Sequence, residues 1–155
     1  MAVRKLQLAA FGLGRMGQVH LENLLNRHAA GQISLVAIGD RHSPTLERAR
    51  ALPALQEARM NQLPAYATPE DMIAGRALSQ FSPGTGLDGV VISSRTEDHS
   101  RDSWSFVRHG IPVLVEKPFA NTTAEACDFA RVLDTLPCKG EALVQVRTVE
   151  GYLVS

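Results

Sequence analysis

The sequence has few cysteines and no excess of either charge, and both scarcities narrow the classes of protein it can belong to. Only two cysteines, Cys127 and Cys138, occur in 155 residues, and they form no CxxC pair. That pattern argues against a zinc ribbon or a disulfide-stapled fold. We expect both thiols to be free in a reducing compartment, with a single disulfide as the lesser alternative. The 16 basic and 16 acidic residues balance, so we expect no nucleic-acid partner.

Long apolar runs are also missing. No stretch approaches the ~18 apolar residues that a membrane span needs. The N-terminal residues MAVRKLQLAAFG lack the small-residue cleavage site of a secretory signal. We therefore expect a cytoplasmic protein that does not enter a membrane. The length of 155 residues suits one compact unit, and we predict a single domain over residues 1–155.

What the sequence does contain is a regular alternation of short apolar runs and amphipathic stretches. Helix starts are predicted at Ser43-Pro44, at Thr68-Pro69 and at the capping-box spacing of Thr122 and Glu125. Strands that alternate with helices form parallel sheets covered on both faces. The sequence thus predicts a three-layer α/β/α fold with a doubly wound parallel sheet of about six strands. The predicted strands are Leu6–Phe11, Ile33–Gly39, the weaker Pro64–Ala67, Leu87–Ser93, Pro112–Glu116 and Ala142–Val146.

Three glycines follow the first predicted strand with the spacing G-x-G-x-x-G. The spacing alone is a weak signal, but a strand precedes it here and a helix from Arg15 to about His28 follows it. In a dinucleotide-binding turn the first glycine makes the turn, the second admits the pyrophosphate, and the third lets the helix pack closely on the strand. Free N–H groups at the helix start hold the negative charge. We therefore predict a Rossmann-type cofactor site that includes Gly12, Leu13, Gly14, Arg15, Met16 and Gly17.

The second predicted strand ends in an acid, Asp40. Rossmann folds carry an acid about 20 residues beyond the glycines, where it hydrogen-bonds the adenosine ribose. A carboxylate there also repels a 2′-phosphate, whereas Arg41, followed by His42 and Ser43, can partly accommodate one. We therefore favour NAD as the cofactor and keep NADP as the alternative. The plainer interpretation is that the glycines only make a tight turn and that Asp40 is a surface acid.

Two further stretches carry a family resemblance: VVISSRTEDH at Val90–His99 and GIPVLVEKPFANTTAEA at Gly110–Ala126. A glycine turn after the first strand, a small polar loop with a histidine after the fourth, and Glu-Lys-Pro after the fifth together resemble one family of sugar dehydrogenases. It is the glucose-fructose oxidoreductase, inositol dehydrogenase and rhizopine-catabolism family. The resemblance runs from about Val3 to Leu136. It implies a nicotinamide-dependent oxidoreductase that acts on a sugar, a cyclitol or a related polyol.

The Glu-Lys-Pro motif is the most specific part of the resemblance. In this sequence it is Glu116, Lys117 and Pro118. The resemblance implies that Lys117 lies near the nicotinamide and the substrate hydroxyl and assists proton and hydride movement. It also implies that the Lys117–Pro118 bond is commonly cis. Ligands of open α/β sheets bind beyond the carboxyl ends of the strands, where this lysine is predicted, and a positioned lysine can transfer protons. Alternatively, Lys117 is a solvated surface lysine.

The polar loop after the fourth strand matches the family less completely. The resemblance implies that Ser93, Ser94 and Thr96 lie against the cofactor's phosphates and its nicotinamide ribose. Arg95 stands where the family often has proline, which leaves the geometry of the loop open. His99 matches the family's histidine near the start of the next helix. Its role is either to hydrogen-bond the loop or to take part in catalysis.

The resemblance covers one of the two domains that the family's enzymes have. Their second domain carries the substrate pocket, whereas this sequence ends at Ser155. A chain cut to the cofactor domain, a truncated gene and a stand-alone binding module are all compatible with that ending. We expect the cofactor-binding domain of a sugar or polyol dehydrogenase, which binds a dinucleotide and needs a second domain to bind and oxidise a polyol. The alternative is a non-catalytic module, either a redox sensor or a partner-docking subunit.

Exposed apolar surface near the strand ends predicts a homo-oligomer.

Overall fold

The computed structural model of the protein describes residues 4–58, 60, 62–77, 86–136 and 144–146. Strands and helices alternate along the chain. The strands are β1 (Leu6–Phe11), β2 (Ile33–Gly39), β3 (Ala65–Tyr66), β4 (Gly89–Ile92), β5 (Val113–Val115) and β6 (Val144–Val146). The helices are α1 (Arg15–Ala29), α2 (Ser43–Arg50), α3 (Pro53–Glu57), α4 (Pro69–Ala77), α5 (Thr96–Val107) and α6 (Thr123–Leu133).

The six strands form one sheet in the order β3-β2-β1-β4-β5-β6, and every neighbouring pair is parallel. This is the strand order of a Rossmann-type doubly wound fold, so the predicted fold class is confirmed. The chain runs outward from β1 to β3 and then returns to start β4 on the other side of β1. A crevice for a ligand forms at such a reversal, beyond the carboxyl ends of β1 and β4.

The alternation of side chains along β1 divides the core into two layers. Ala9 and Phe11 face one side of the sheet, where they pack with apolar residues of α4 and α5. Ala10 faces the other side, where it packs with residues of α1, α2 and α3. Side chains of a strand point alternately to its two faces. A sheet whose faces are both covered explains why the strands read as nearly continuous apolar runs.

The predicted strand positions hold, and their ends differ by a few residues. β1 and β2 match the predicted bounds, whereas β4 is shorter than Leu87–Ser93 and β5 is shorter than Pro112–Glu116. The predicted bounds include flanking residues such as Leu87 and Glu116, which are buried although they lie outside the strands. Of the last predicted strand, residues 144–146 are described and residues 142 and 143 lie outside the described part, as does Cys138.

Two of the three predicted helix starts are confirmed. Thr68 Oγ1 accepts from the Asp71 N–H at 3.0 Å at the start of α4. Thr122 Oγ1 accepts from the Glu125 N–H at 3.2 Å at the start of α6. These bonds satisfy backbone donors that have no partner inside the helix.

The cap predicted at Ser43 is wrong by one residue. Ser43 is already helical, and the N-cap of α2 is His42. The His42 N–H donates to Asp40 Oδ1 at 2.8 Å, which positions the His42 carbonyl to accept the first helical hydrogen bonds, from Thr45 and Leu46. Of the helices that the structure describes, none is long and apolar enough to cross a membrane.

Candidate functional site

The glycine turn after β1 is built so that two of its glycines have no room for a side chain. Gly12 has a φ of +86°, and a Cβ there would lie 2.2 Å from the Ser94 backbone nitrogen. A Cβ on Gly17 would lie 1.9 Å from the Gly12 carbonyl oxygen. Contacts this short are forbidden to any real Cβ, so both positions require glycine. The close packing predicted for the third glycine is therefore packing of α1 on the turn that ends β1.

Gly14 differs from both of these glycines, because in the described structure a Cβ there would meet nothing within 4 Å. It is the N-cap of α1, and the first turn of that helix carries no acidic residue. The first N–H groups of a helix have no carbonyl partner within it, and the helix dipole makes that end positive. The start of α1 is therefore an open, positively polarised surface suited to a phosphate.

Asp40 at the end of β2 is hydrogen-bonded to the glycine turn. Its Oδ2 accepts from the Leu13 N–H at 2.7 Å, and its Oδ1 accepts from the His42 N–H at 2.8 Å. The acid predicted to bind a ribose thus also fixes the backbone of the glycine turn. Leu13 itself is fully buried, and its backbone N–H is satisfied by Asp40.

A cavity of about 480 Å³ opens at the carboxyl ends of β1, β2 and β4. Ligand cavities commonly have about this volume. Much of the predicted cofactor site lines it: Gly12, Gly14, Arg15, Met16, Asp40, Arg41, Ser93 and Ser94. The sequence did not single out the other lining residues as contacts: Phe11, His42, Thr45, Arg95 and Asp98. The remaining predicted residues lie outside the lining: Leu13, Gly17, Thr96, His99, Glu116, Lys117 and Pro118.

The side-chain oxygens of Ser93 and Ser94 are buried and have no hydrogen-bond partner within the described part of the chain. Both residues line the cavity. Buried polar atoms are nearly always hydrogen-bonded in native proteins, so a ligand in this cavity would satisfy them. These two hydroxyls, the open Gly14 and the free helix start fit the phosphates and riboses of a dinucleotide.

Arg41 is held by Asp102, a residue that was not predicted to belong to the site. Its Nη2 lies 2.5 Å from Oδ1 of Asp102 on α5, and its guanidinium lies 5.9 Å from the centre of the Phe11 ring. Asp102 is fully buried. A signal was present, because Asp102 follows His99 by one helical turn and precedes Phe106 by another, which places it on the buried stripe of α5. A charge on such a stripe needs a partner.

The Glu-Lys-Pro motif lies just beyond β5, with its glutamate buried and its lysine exposed. Glu116 Oε1 lies 2.7 Å from Nε2 of His20 on α1, and Glu116 Oε2 accepts from the Lys117 N–H at 3.2 Å. The Lys117–Pro118 peptide bond is cis, as the resemblance implied. His20 therefore connects α1 to the backbone that presents Lys117. Its position three residues after Gly17, on the buried face of α1, was the signal for this role.

His99 joins the two loops that carry the predicted residues. Its ring is buried, with Nε2 3.0 Å from the Ser94 carbonyl oxygen and Nδ1 2.8 Å from the Pro118 carbonyl oxygen. These contacts hold the loop after β4 against the loop after β5. Of the two roles open to His99, the geometry supports the holding of the loop. Arg95 ends this loop as the N-cap of α5 in an extended conformation, and the helix begins at the next residue.

Sequence and structure comparisons give one consistent set of relatives. A family model described as an oxidoreductase family with an NAD-binding Rossmann fold matches residues 6–143. Inositol 2-dehydrogenase 2 of Saccharopolyspora erythraea is 30% identical over 141 residues, which are 91% of this chain and 35% of that protein. The rhizopine catabolism protein MocA of Rhizobium meliloti is 31% identical over 131 residues, which are 84% of this chain and 34% of that protein.

Solved structures agree. A myo-inositol dehydrogenase from Corynebacterium glutamicum superposes with a TM-score of 0.67 at 27% identity, over 92% of this chain and 36% of that one. A scyllo-inositol dehydrogenase from Lactobacillus casei, crystallised with NAD(H) and scyllo-inositol, superposes with a TM-score of 0.63 at 20% identity, over 84% of this chain and 33% of that one. The second likeness is one of fold alone. The chain spans about a third of the length of these relatives.

Proposed function

This chain belongs to the oxidoreductase family with an NAD-binding Rossmann fold that includes inositol dehydrogenases and MocA, and on that premise we propose that it is the NAD-binding domain of a polyol dehydrogenase. One observation carries the proposal. A single cavity contains the open glycine at the start of α1, the acid at the end of β2, and two buried hydroxyls without a described partner. Across the sheet, in the order β2, β1, β4, the acid, the open glycine and the hydroxyls would face the ribose, pyrophosphate and ribose of a dinucleotide in the order in which these are linked.

We propose the following placement of the cofactor. Its pyrophosphate would lie at the start of α1, against the backbone of Gly14, Arg15 and Met16. Its adenosine ribose would donate hydrogen bonds to Asp40. The hydroxyls of Ser93 and Ser94 would face the phosphates and the nicotinamide ribose, with Thr96 beside them at the start of α5. Gly12, Leu13 and Gly17 would act by shaping the turn.

We propose NAD rather than NADP as the cofactor. Asp40 brings a negative charge to the place where the 2′-phosphate of NADP would lie. Arg41, the cation able to offset that charge, is paired with Asp102 at 2.5 Å. Both features favour a ribose with a free 2′-hydroxyl.

For a protein that also holds a polyol, we propose oxidation of one secondary hydroxyl to a ketone. NAD, when bound, supplies the acceptor for the hydride that leaves the carbinol carbon. Lys117 would take the proton of that hydroxyl on its amine nitrogen. Glu116 supports this role by accepting from the Lys117 N–H, and Pro118 supports it through its carbonyl contact with His99. The names of the relatives favour a cyclitol of the inositol type as the substrate.

We propose residues 1–155 as one dinucleotide-binding domain, with the groups that hold a polyol supplied from outside it. This proposal follows from the share of the relatives that the chain matches, which is about a third. We also propose a cytoplasmic location. The thiol of Cys127 is exposed and free, and a reducing compartment preserves such a thiol.

Thermal unfolding with NADH and, separately, with NADPH tests the binding proposal. A ligand at about a hundredfold excess over its Kd adds about 2.7 kcal/mol to the free energy of unfolding when it binds the native state alone. For a domain of this size that raises the midpoint by roughly 5–10 °C. We expect this rise with NADH and a smaller one with NADPH at the same concentration.

Each other outcome has a definite meaning. An equal or larger rise with NADPH would contradict the choice of NAD. A midpoint that moves with neither nucleotide would contradict dinucleotide binding by this domain. Turnover is then tested by measuring absorbance with NAD and myo-inositol. We expect the chain alone to bind the nucleotide without forming NADH.

A further inference from the structure

The guanidinium of Arg41 does not lie where its neighbour in the sequence, Asp40, would lead one to expect it. It follows Asp40 directly, and both residues line the cavity. An arginine beside that acid is the group that accommodates a 2′-phosphate in Rossmann sites that bind NADP. Here the guanidinium lies against the wall of the cavity instead, 2.5 Å from Asp102 Oδ1 and over the Phe11 ring. The side chain is 34% exposed, and its contacts with Asp102 and Phe11 hold it in this direction.

Asp102 holds the guanidinium strongly because its own carboxylate is fully buried. Removing the partner of a buried charge is strongly unfavourable, since the charge is left uncompensated. The other cation near this carboxylate in the described structure is Arg101, whose Nε lies 3.8 Å from the same oxygen and whose side chain is 59% exposed. To reach a phosphate, Arg41 would leave Asp102 with that weaker contact alone.

We propose that Asp102 is a positioning residue for cofactor choice: by holding Arg41, it makes the site selective for NAD over NADP. The inference rests on the proposed dinucleotide binding and adds a residue outside the cavity lining to it. With Arg41 held, a 2′-phosphate would meet the charge of Asp40 without a free guanidinium to offset it. With Arg41 released, the same phosphate would find a cation next to the acid in the chain.

Asp102→Asn is the direct test, because asparagine fills the same space without the charge that holds Arg41. Calorimetric titration would give the Kd of NADH and of NADPH for the wild type and for the variant. We expect the ratio of NADPH to NADH affinity to rise about tenfold in the variant. If Asp102 had only a structural role, its replacement would weaken the binding of both nucleotides. Release of Arg41 would instead strengthen the binding of NADPH. An unchanged ratio in the folded variant would overturn the inference.

Two further variants make the result specific. In Arg41→Gln/Asp102→Asn the gain should disappear, because the cation that it depends on is gone. If the double variant kept the gain, the loss of a negative charge would explain it and the inference would fail. Arg41→Gln alone should change NADPH affinity less than about twofold, since Arg41 is already held away from the phosphate. A roughly tenfold loss there would also overturn the inference, even if Asp102→Asn did not fold.

The wild-type titration separates this inference from the proposed function. If the wild type binds neither nucleotide, the proposed function fails and the inference fails with it. If the wild type binds NADH and Asp102→Asn leaves the affinity ratio unchanged, the inference alone is wrong.

Discussion

At the scale of single residues, two glycines of one turn differ in whether the fold requires them. Gly17 is needed by the fold, because a side chain there would collide with the Gly12 carbonyl oxygen at 1.9 Å. Gly14 has open space around it and a φ of −64°, which any residue can adopt. Nothing around Gly14 in the described structure requires a glycine, so we infer that its open backbone serves a bound ligand. The spacing pattern treats the two positions alike, and the structure separates them.

We therefore predict opposite effects for alanine at these two positions. Gly17→Ala should lower the free energy of unfolding by about 3 kcal/mol, because the neighbour that it meets is backbone and cannot move aside. Gly14→Ala should change that free energy by less than about 1 kcal/mol, yet weaken NADH binding by crowding the pyrophosphate. Urea unfolding and NADH titration of the two variants check both statements. Equal losses of stability would contradict the geometry of the turn, and full NADH affinity in Gly14→Ala would contradict the placement of the pyrophosphate.

At the scale of secondary-structure elements, the helices on one face of the sheet are joined by a side-chain hydrogen bond. Ser105 Oγ on α5 donates to Glu70 Oε1 in the first turn of α4 at 2.6 Å. This hydrogen bond lowers the pKa of Glu70 below its usual value, and the charges of Arg41 and Arg108 act in the same direction, whereas partial burial opposes them. The charged form of Glu70 is therefore stabilised in the folded state.

The pH dependence of stability follows from the direction of that shift. A carboxyl group whose pKa is lowered by folding stabilises the protein above its unfolded pKa, about 4.5 here, and loses that contribution as the pH falls through the lowered value. Glu70→Gln should therefore cost about 0.5 kcal/mol at neutral pH, a small effect because solvent screens a half-exposed side chain. Chemical unfolding from pH 7 to about pH 3 should show the two proteins converge in acid.

Ser105→Ala is the matched control, since it removes the same hydrogen bond from the other helix. Its difference from the wild type should also shrink as the pH falls. A difference between wild type and Glu70→Gln that grows on acidification would contradict the assigned direction of the shift.

At the scale of the whole molecule, exposed apolar side chains lie both at the edge where the strands end and elsewhere on the surface. Met16, at the start of α1, lines the cavity and is 39% exposed. Val132 on α6 is equally exposed, beside a groove that includes Trp104 and Phe129. α6, which is described throughout, has no fully buried residue. Apolar surface of this kind favours association.

We predict that the chain self-associates in a concentration-dependent way through the surface at the strand ends. Light scattering over a concentration series should show the mass rise above that of one chain. Met16→Gln should weaken the association, and Val132→Gln is the matched control at a site on α6. A monomer at every concentration would contradict the prediction, and a loss caused by Val132→Gln alone would move the interface to α6.

The sequence predicted the architecture because the relevant signals are local. β1, the glycine turn and α1 follow one another without interruption, and Asp40 ends the next strand. The predicted bounds differ from the observed ones where the predicted run extends beyond the residues paired in the sheet, as it does at β4. The short helix α3 was not predicted, because five residues are too few to show helical periodicity.

The sequence by itself determined the Rossmann-type order of elements, the glycine turn and the family, since each depends on residues that are neighbours in the chain. Only the tertiary structure decided which charged and polar groups meet. Asp40 binds the Leu13 N–H across 27 positions of sequence, Arg41 pairs with Asp102 across 61, and His20 meets Glu116 across 96. These partners depend on which helix packs on which face of the sheet, and local periodicity does not predict that arrangement.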